Sequence, residues 1–249
     1  MSDDLCRMTA AELLEKFRAK AVSPVEAAEA ALARAKTTEP ALNAFMLLCE
    51  EDALAQARES EARWMKGAPQ GLVDGLPTTV KDLFQLDGHS TRRGSLTTLE
   101  DPATEDSPAV ATLRRHGAVF IGKTTTSEFG CLGVTHCRVS GVTRNPWDPS
   151  KTPGGSSGGA AASVAVGAGT LAIGSDGGGS VRMPAAFTGI FGIKPTAGRV
   201  PYFPPSAVGS NSCVGPLTRT VADGALMLRA MADPDPRDWI GATTPAPDY

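Results

Sequence analysis

The sequence predicts a layered α/β fold, and three observations predict it. Two capping boxes open an N-terminal run of helices. From Gly75 onward, short β-branched or apolar runs alternate with helical stretches. Two glycine-serine loops are then joined by one helix and one strand, so both can lie near the same edge of a sheet. A chain of 249 residues and 25.7 kDa makes one large domain or two small ones. Its 41% hydrophobic and 20% charged residues are an ordinary globular balance.

Thr9-Ala10-Ala11-Glu12 is the first capping box: a hydroxyl caps the turn and the glutamate three residues on reaches back. Ser23-Pro24-Val25-Glu26 repeats it, with proline at the first helical position, where its missing N–H is no loss. An alanine-rich helix over 25–36 and a charged helix over 50–66 follow. Gly75-Leu76-Pro77 interrupts the helices, and Thr78-Thr79-Val80 reads as a short strand leading to Lys81-Asp82. Ser107-Pro108 starts a helix that stops at His116-Gly117, and 118–121 is apolar and strand-like. From Pro153 the texture changes, because nearly half of the 27 glycines lie between Gly154 and Gly198. Gly154-Gly155-Ser156-Ser157-Gly158-Gly159 is a loop ahead of an alanine-rich helix over 159–166. A buried strand over 170–173 leads into Gly174-Ser175-Asp176-Gly177-Gly178-Gly179-Ser180, and a helix begins near Ser180. A short strand over 191–193 and a final helix over 220–231 complete the reading. The last dozen residues show no periodicity.

Composition excludes several functions. A net charge of −3 argues against a general nucleic-acid binder, and 5% aromatics against stacking platforms for single strands. Five scattered cysteines without a C-x-x-C pair are not a secreted disulfide framework. The acidic N-terminus lacks the features of a signal peptide, and no apolar run reaches the ~18 residues of a membrane span. The expected setting is the cytoplasm.

Two short motifs are decoys. Gly117-Ala118-Val119-Phe120-Ile121-Gly122-Lys123-Thr124 satisfies G-x-x-x-x-G-K-[ST] and raises nucleotide binding as a rival function. A phosphate cradle needs a flexible loop after a strand and before a helix. Here the intervening residues belong in a strand and a helix precedes them. Gly155-Ser156-Ser157-Gly158-Gly159 matches G-x-S-x-G, but that elbow needs a histidine later in the chain. His89, His116 and His136 all precede it, and they have no metal-ligand spacing.

The glycine-serine loops carry the chemistry. Asp176 is the only acidic residue between Pro149 and Ala222, so a base for Ser156, Ser157 or Ser180 is not a nearby carboxylate. With histidine poorly placed, lysine remains, and Lys81, Lys123, Lys151 and Lys194 stay open as candidates. Successive N–H groups of Gly177-Gly178-Gly179-Ser180 make a nest for negative charge. A serine at its end can attack a carbonyl whose oxygen the nest then holds. Asp176 and Arg182 are read as a pair that braces the loop, in preference to Arg182 binding a substrate carboxylate. Cys131 and Cys137 are read as packed thiols.

Pro153 to Gly159, Gly174 to Ala186 and Gly192-Ile193-Lys194-Pro195-Thr196 resemble the amidase signature family. Gly75-Leu76-Pro77 with Val80-Lys81-Asp82, Gly122-Lys123-Thr124 with Glu128-Phe129-Gly130, and Thr143-Arg144-Asn145-Pro146 extend the resemblance over about 5–232. It implies an amidase-signature fold: a mixed β-sheet covered by helices on both sides. The implied division is a helical segment over 1–70 packing on the core, the signature core over 71–235, and a linker or truncated end over 236–249. It also implies a Ser–cis-Ser–Lys triad in which Ser180 is the nucleophile, Ser156 the bridging serine after a cis Gly155–Ser156 bond, and Lys81 the base. Gly177, Gly178, Gly179 and Ser180 supply the backbone oxyanion hole. No metal or organic cofactor is expected, and the partner is a small-molecule amide, with no direct nucleic-acid or membrane contact. A transamidase subunit of a tRNA-dependent amidotransferase is the near alternative, and a non-catalytic remnant the distant one.

Two departures from the family carry expectations. Ser175 and Gly177 stand where threonines are common, so a looser second loop is expected. Family members are longer, so the C-terminal part is expected to be missing. A sheet cut short leaves an exposed edge, which favours a homo-oligomer or a missing half.

Overall fold

The computed structural model describes residues 2–206, 208–244 and 247–249. Helices α1 (Ser2–Arg7), α2 (Ala10–Arg18) and α3 (Pro24–Leu42) come first. Both capping boxes form. Glu12 N donates to Thr9 Oγ1 at 3.1 Å while Thr9 N donates to the Glu12 carboxylate at 2.7 Å, and Ser23 with Glu26 repeats the exchange. The helix expected over 25–36 runs on to Leu42, with Pro40 in its last turn, where the missing donor does least harm. Asn43 then ends it in the left-handed region, at φ 52°.

Strand β1 (Phe45–Leu48) follows, then α4 (Glu50–Met65), β2 (Pro77–Lys81), α5 (Pro108–Arg115) and β3 (Val119–Thr124). β4 (His136–Cys137) and β5 (Gly141–Val142) form a separate two-stranded ladder. The second half adds α6 (Gly158–Val166), β6 (Leu171–Asp176), α7 (Arg182–Thr188), β7 (Phe191–Gly192), β8 (Cys213–Thr218) and α8 (Val221–Met231).

Six strands form one mixed sheet in the order β1-β3-β2-β6-β8-β7. β3, β2 and β6 run parallel, while β1, β8 and β7 enter antiparallel to their neighbours. The period of two sorts side chains onto two faces. Phe120, Leu171, Ile173 and Val214 pack with Leu13 and Phe17 of α2, Leu113 of α5 and Met227 of α8. On the opposite face Val119 and Ile121 meet the alanines of α3, while Ala172 and Leu217 meet α6 and Ala185 of α7. The mixed sheet between helices is therefore present.

Two strands of the main sheet were not legible, nor was the short β4–β5 ladder. β1 is a four-residue apolar run between helices, and such runs have no decisive period. β8 contains Gly215-Pro216, which reads as a break, yet it pairs with both β6 and β7. The 1–70 segment is thus not purely helical: β1 belongs to the sheet, and Ala10 N donates to Asp223 Oδ1 of α8 at 3.1 Å. The stretch read as a linker bonds back to the body. Tyr202 N donates to Asp238 Oδ2 at 2.9 Å and Ala242 N to Gly198 O at 2.7 Å. Such bonds need partners distant in sequence, which periodicity does not register. Among the described residues no helix is long and apolar enough to cross a membrane.

Candidate active site

In open α/β sheets the crevice at the carboxyl ends of parallel strands is where side chains from several strands converge. β2 ends there on Lys81, and β6 ends on Ser175 and Asp176. Lys81 is fully buried. Its Nζ donates to Ser156 Oγ at 2.7 Å, Ser157 Oγ at 2.9 Å and Ser175 Oγ at 3.0 Å. Among the described residues it has no carboxylate partner. Burial pulls its pKa down to about 7, with the Asp176 charge opposing.

The first loop is held by close packing. The Gly155–Ser156 peptide is cis. A Cβ on Gly155 would stand 2.4 Å from the Val134 carbonyl carbon, so only glycine fits. Thr135 Oγ1 donates to Gly154 O at 2.9 Å and accepts from Gly158 N at 2.9 Å, tying the loop to the start of α6.

Asp176 organises the second loop. One carboxylate oxygen accepts from Gly179 N at 2.7 Å and Arg182 Nη2 at 3.0 Å. The other accepts from Val181 N and Arg182 N, both at 3.2 Å, and from Arg182 Nε at 2.9 Å. Burial pushes this carboxyl up, but Arg182 and the three amides outweigh it and hold it below the usual range. The Asp176–Arg182 fork is therefore formed within the loop. Lys194 Nζ adds a bond to Gly177 O at 3.0 Å. Where Gly177 lacks a side chain to pack, the loop is tied by the Asp176 carboxylate within it and by Lys194 from outside.

Of the four amides predicted to line an oxyanion hole, that of Gly179 is committed to Asp176. The amides of Gly177, Gly178 and Ser180 make no hydrogen bond among the described residues. Ser180 is 8% exposed and opens onto a cavity of about 320 Å³, with Gly177, Gly178, Met183, Tyr202 and Arg93 in the wall. Its carbonyl accepts from Ser157 N at 3.1 Å. No hydrogen bond among the described residues joins Ser180 Oγ to Ser156 Oγ.

The other lysine candidates lie elsewhere. Lys123 pairs with Asp82 at 2.8 Å, Lys194 holds the second loop, and Lys151 is exposed. The decoys resolve as expected: Gly117 is a turn after α5, and β3 fills the rest of the nucleotide-like motif. His116 accepts from Leu72 N at 3.2 Å at the end of α5, and His89 pairs with Asp52 at 2.8 Å. Cys137 is packed, but Cys131, which caps the short 3-10 turn Glu128–Gly130, is exposed and lines the cavity, contrary to expectation. Sequence reasoning gave neither Ser175 nor Thr135 a role at the site. Ser175 had a local signal, its place beside Asp176 at a strand end. Thr135 had none.

The Amidase family model matches residues 26–248, and the chain belongs to that family. It is 43% identical over 247 residues to the A subunit of the glutamyl-tRNA(Gln) amidotransferase of Anaeromyxobacter dehalogenans (strain 2CP-C), covering 99% of this chain and 50% of that protein. It is 40% identical to the indoleacetamide hydrolase of Bradyrhizobium diazoefficiens, covering 96% of this chain and 47% of that one. The native peptide amidase of Stenotrophomonas maltophilia superposes with a TM-score of 0.89 at 33% identity, covering 98% of this chain and 52% of that one. The chain spans about half the length of the curated relatives it matches.

Proposed function

We propose that this chain carries the hydrolytic site of an amidase, which cleaves an amide C–N bond through a serine acyl-enzyme. One observation carries the reading: a fully buried lysine, without a carboxylate partner among the described residues and with its pKa pulled down to about 7, lies 2.7 Å from a loop serine. A lysine in that state can exist as the free amine at neutral pH and accept a proton.

In the proposed reaction Ser180 Oγ attacks the amide carbonyl. Its proton passes to Ser156 Oγ as the Ser156 proton passes to Lys81 Nζ. The carbonyl oxygen becomes an oxyanion, facing the free amides of Gly177, Gly178 and Ser180; one such donor is worth roughly 2.7–4 kcal/mol of barrier. The proton then returns through Ser156 to the amide nitrogen, the C–N bond breaks and the amine leaves. Water, deprotonated by the same relay, attacks the acyl-serine and releases the acid. Ser180 Oγ must close onto Ser156 Oγ when substrate binds, as hydrogen bonds of this kind often tighten only in the complex.

Asp176 and Arg182 brace the loop in this reading. The signature core over 71–235 holds all three relay residues. Five scattered cysteines without a C-x-x-C pair support a cytoplasmic setting. A second reading, one component of a tRNA-dependent amidotransferase, is favoured by the 43% identity to the A subunit of a glutamyl-tRNA(Gln) amidotransferase. It uses the same Ser180 chemistry and sends the released ammonia to an acceptor in place of solvent.

The test is fluorophosphonate labelling of the purified chain, with peptide mapping. The expected adduct is on Ser180 and disappears in Lys81→Ala. An unlabelled but folded chain, or undiminished labelling of Lys81→Ala, overturns the relay. Glutamine turnover that rises when an acceptor system is added separates the second reading from the first.

A further inference from the structure

The cavity in front of Ser180 is charged in one sense only. Its wall is made of glycines, serines, prolines and apolar or aromatic side chains, and it contains no aspartate or glutamate among the described residues. Arg93 is the one formal charge among the described residues of that wall. The backbone fixes it close to the relay: Arg93 N donates at 3.1 Å to the carbonyl of Asp82, the residue after Lys81, and Arg93 O accepts from Phe129 N at 2.8 Å. Its φ of 51° lies in the left-handed region, which few non-glycine residues occupy.

The neighbouring charged groups are engaged elsewhere. Arg92 pairs with Glu100 at 2.5 Å and Arg182 is held by Asp176, while the Glu128 carboxylate accepts from the neutral Ser95 hydroxyl at 2.7 Å and forms no ion pair with Arg93 among the described residues. The half-buried Arg93 side chain has no carboxylate and no hydrogen-bond partner among the described residues. A guanidinium partly withdrawn from water favours a planar anion that takes two parallel N–H bonds, and a carboxylate has that shape.

We infer that Arg93 is a specificity-determining residue and that the amide accepted in this cavity carries a free carboxylate. The inference rests on the amide-hydrolase reading, and its test is separable from that reading. Succinamate and succinamide are close in size, and only succinamate carries a carboxylate. Their binding is measured by titration calorimetry on the full chain carrying Ser180→Ala, so that nothing turns over. Succinamate is expected to bind at least about tenfold more tightly. Arg93→Met is expected to remove that preference while leaving succinamide unchanged, and Arg93→Lys to restore part of it. Equal affinities, a preference for succinamide, no binding of either, or a preference that survives in Arg93→Met would each overturn the inference. If Arg93→Met does not fold, the two affinities in the parent and in Arg93→Lys decide the matter. Fluorophosphonate labelling of Ser180 is read in parallel: labelling without a carboxylate preference overturns only the role of Arg93, and a preference without labelling overturns only the hydrolase reading.

Discussion

Lys81 closes β2, and Lys123 lies near the end of β3, the adjacent strand. Both are at most 1% exposed. Val80 and Lys123 are register partners and share a face, so Lys81, the next residue, points to the other side of the sheet. On its side Lys123 meets a carboxylate, Asp82, at 2.8 Å, together with Ser90 O at 2.6 Å and Thr91 Oγ1 at 2.7 Å. Among the described residues Lys81 meets three hydroxyls and no carboxylate. Burial lowers the pKa of both amines. For Lys123 the Asp82 charge opposes that effect, while burial lifts Asp82 and Lys123 in turn holds it down. A carboxylate requires the ammonium form, whereas a hydroxyl can accept from an ammonium or donate to an amine. Both amines are buried, and among the described residues only Lys81 lacks a counter-ion; the base role proposed for it rests on that difference.

The largest expected effect comes from truncating the two lysines to alanine. Lys81→Ala should slow Ser180 labelling about 10²–10⁴-fold without lowering thermal stability. Lys123→Ala should do the reverse, unfolding or strongly destabilising the chain. Labelling rates and melting temperatures of the two variants, measured side by side, check this, and equal losses in both would break the comparison. The sign of the stability effect follows from linkage. A folded pKa of about 7 against 10.5 unfolded means the native state gives up a proton, so buried Lys81 opposes folding by roughly 4–5 kcal/mol below pH 7. That penalty fades as pH rises from about 7 to about 10.5. Lys81→Met should therefore stabilise the chain at pH 6 and hardly at all above pH 10.5.

Asp82→Ala tests the other half. It leaves Lys123 buried without its counter-ion, and denaturant titration should show a loss of about 3–5 kcal/mol. A loss below about 1 kcal/mol would mean that Lys123 does not need the charge.

Asp176 and Arg182 sharpen the point, because this ion pair is buried at one end only: Asp176 is inaccessible, while the Arg182 side chain is 54% exposed. Asp176→Ala strands three amides and should cost about 3 kcal/mol. Arg182→Ala should cost less than about 1 kcal/mol, since solvent screens its end. Similar losses in the two unfolding curves would show that the guanidinium carries more of the loop than its exposure implies.

A pH profile tests Lys81 without any substitution. Labelling should rise about tenfold per pH unit to a level region above pH 7, as Lys81 loses its proton. A profile flat from pH 5 to 9 would detach Lys81 from the rate.

Local chemistry was legible wherever a few neighbouring residues decide the outcome. Thr9 with Glu12 and Ser23 with Glu26 announce their helices because a capping box is complete within four residues. The strand ending at Lys81 and the alanine-rich start of α6 were legible for the same reason, and family resemblance singled out Lys81 among four lysines. β1 and β8 were not legible, since a short apolar run and a Gly-Pro strand gain their identity from partners 70 or more residues away in the case of β1, and from strands on both sides in the case of β8.

The sequence by itself determined the α/β class, the two loops, and the serines and lysines available to them. Only the tertiary structure decided which lysine lacks a counter-ion among the described residues, that Ser175 and Ser157 share Lys81 with Ser156, that Gly179 gives its amide to Asp176, and that Arg93 is the one formal charge among the described residues of the cavity wall. The physical reason is that a residue's charge state and hydrogen-bond partners depend on burial and on groups brought together from distant strands. Propensity and spacing act over a few residues, whereas desolvation and charge pairing act across the whole fold.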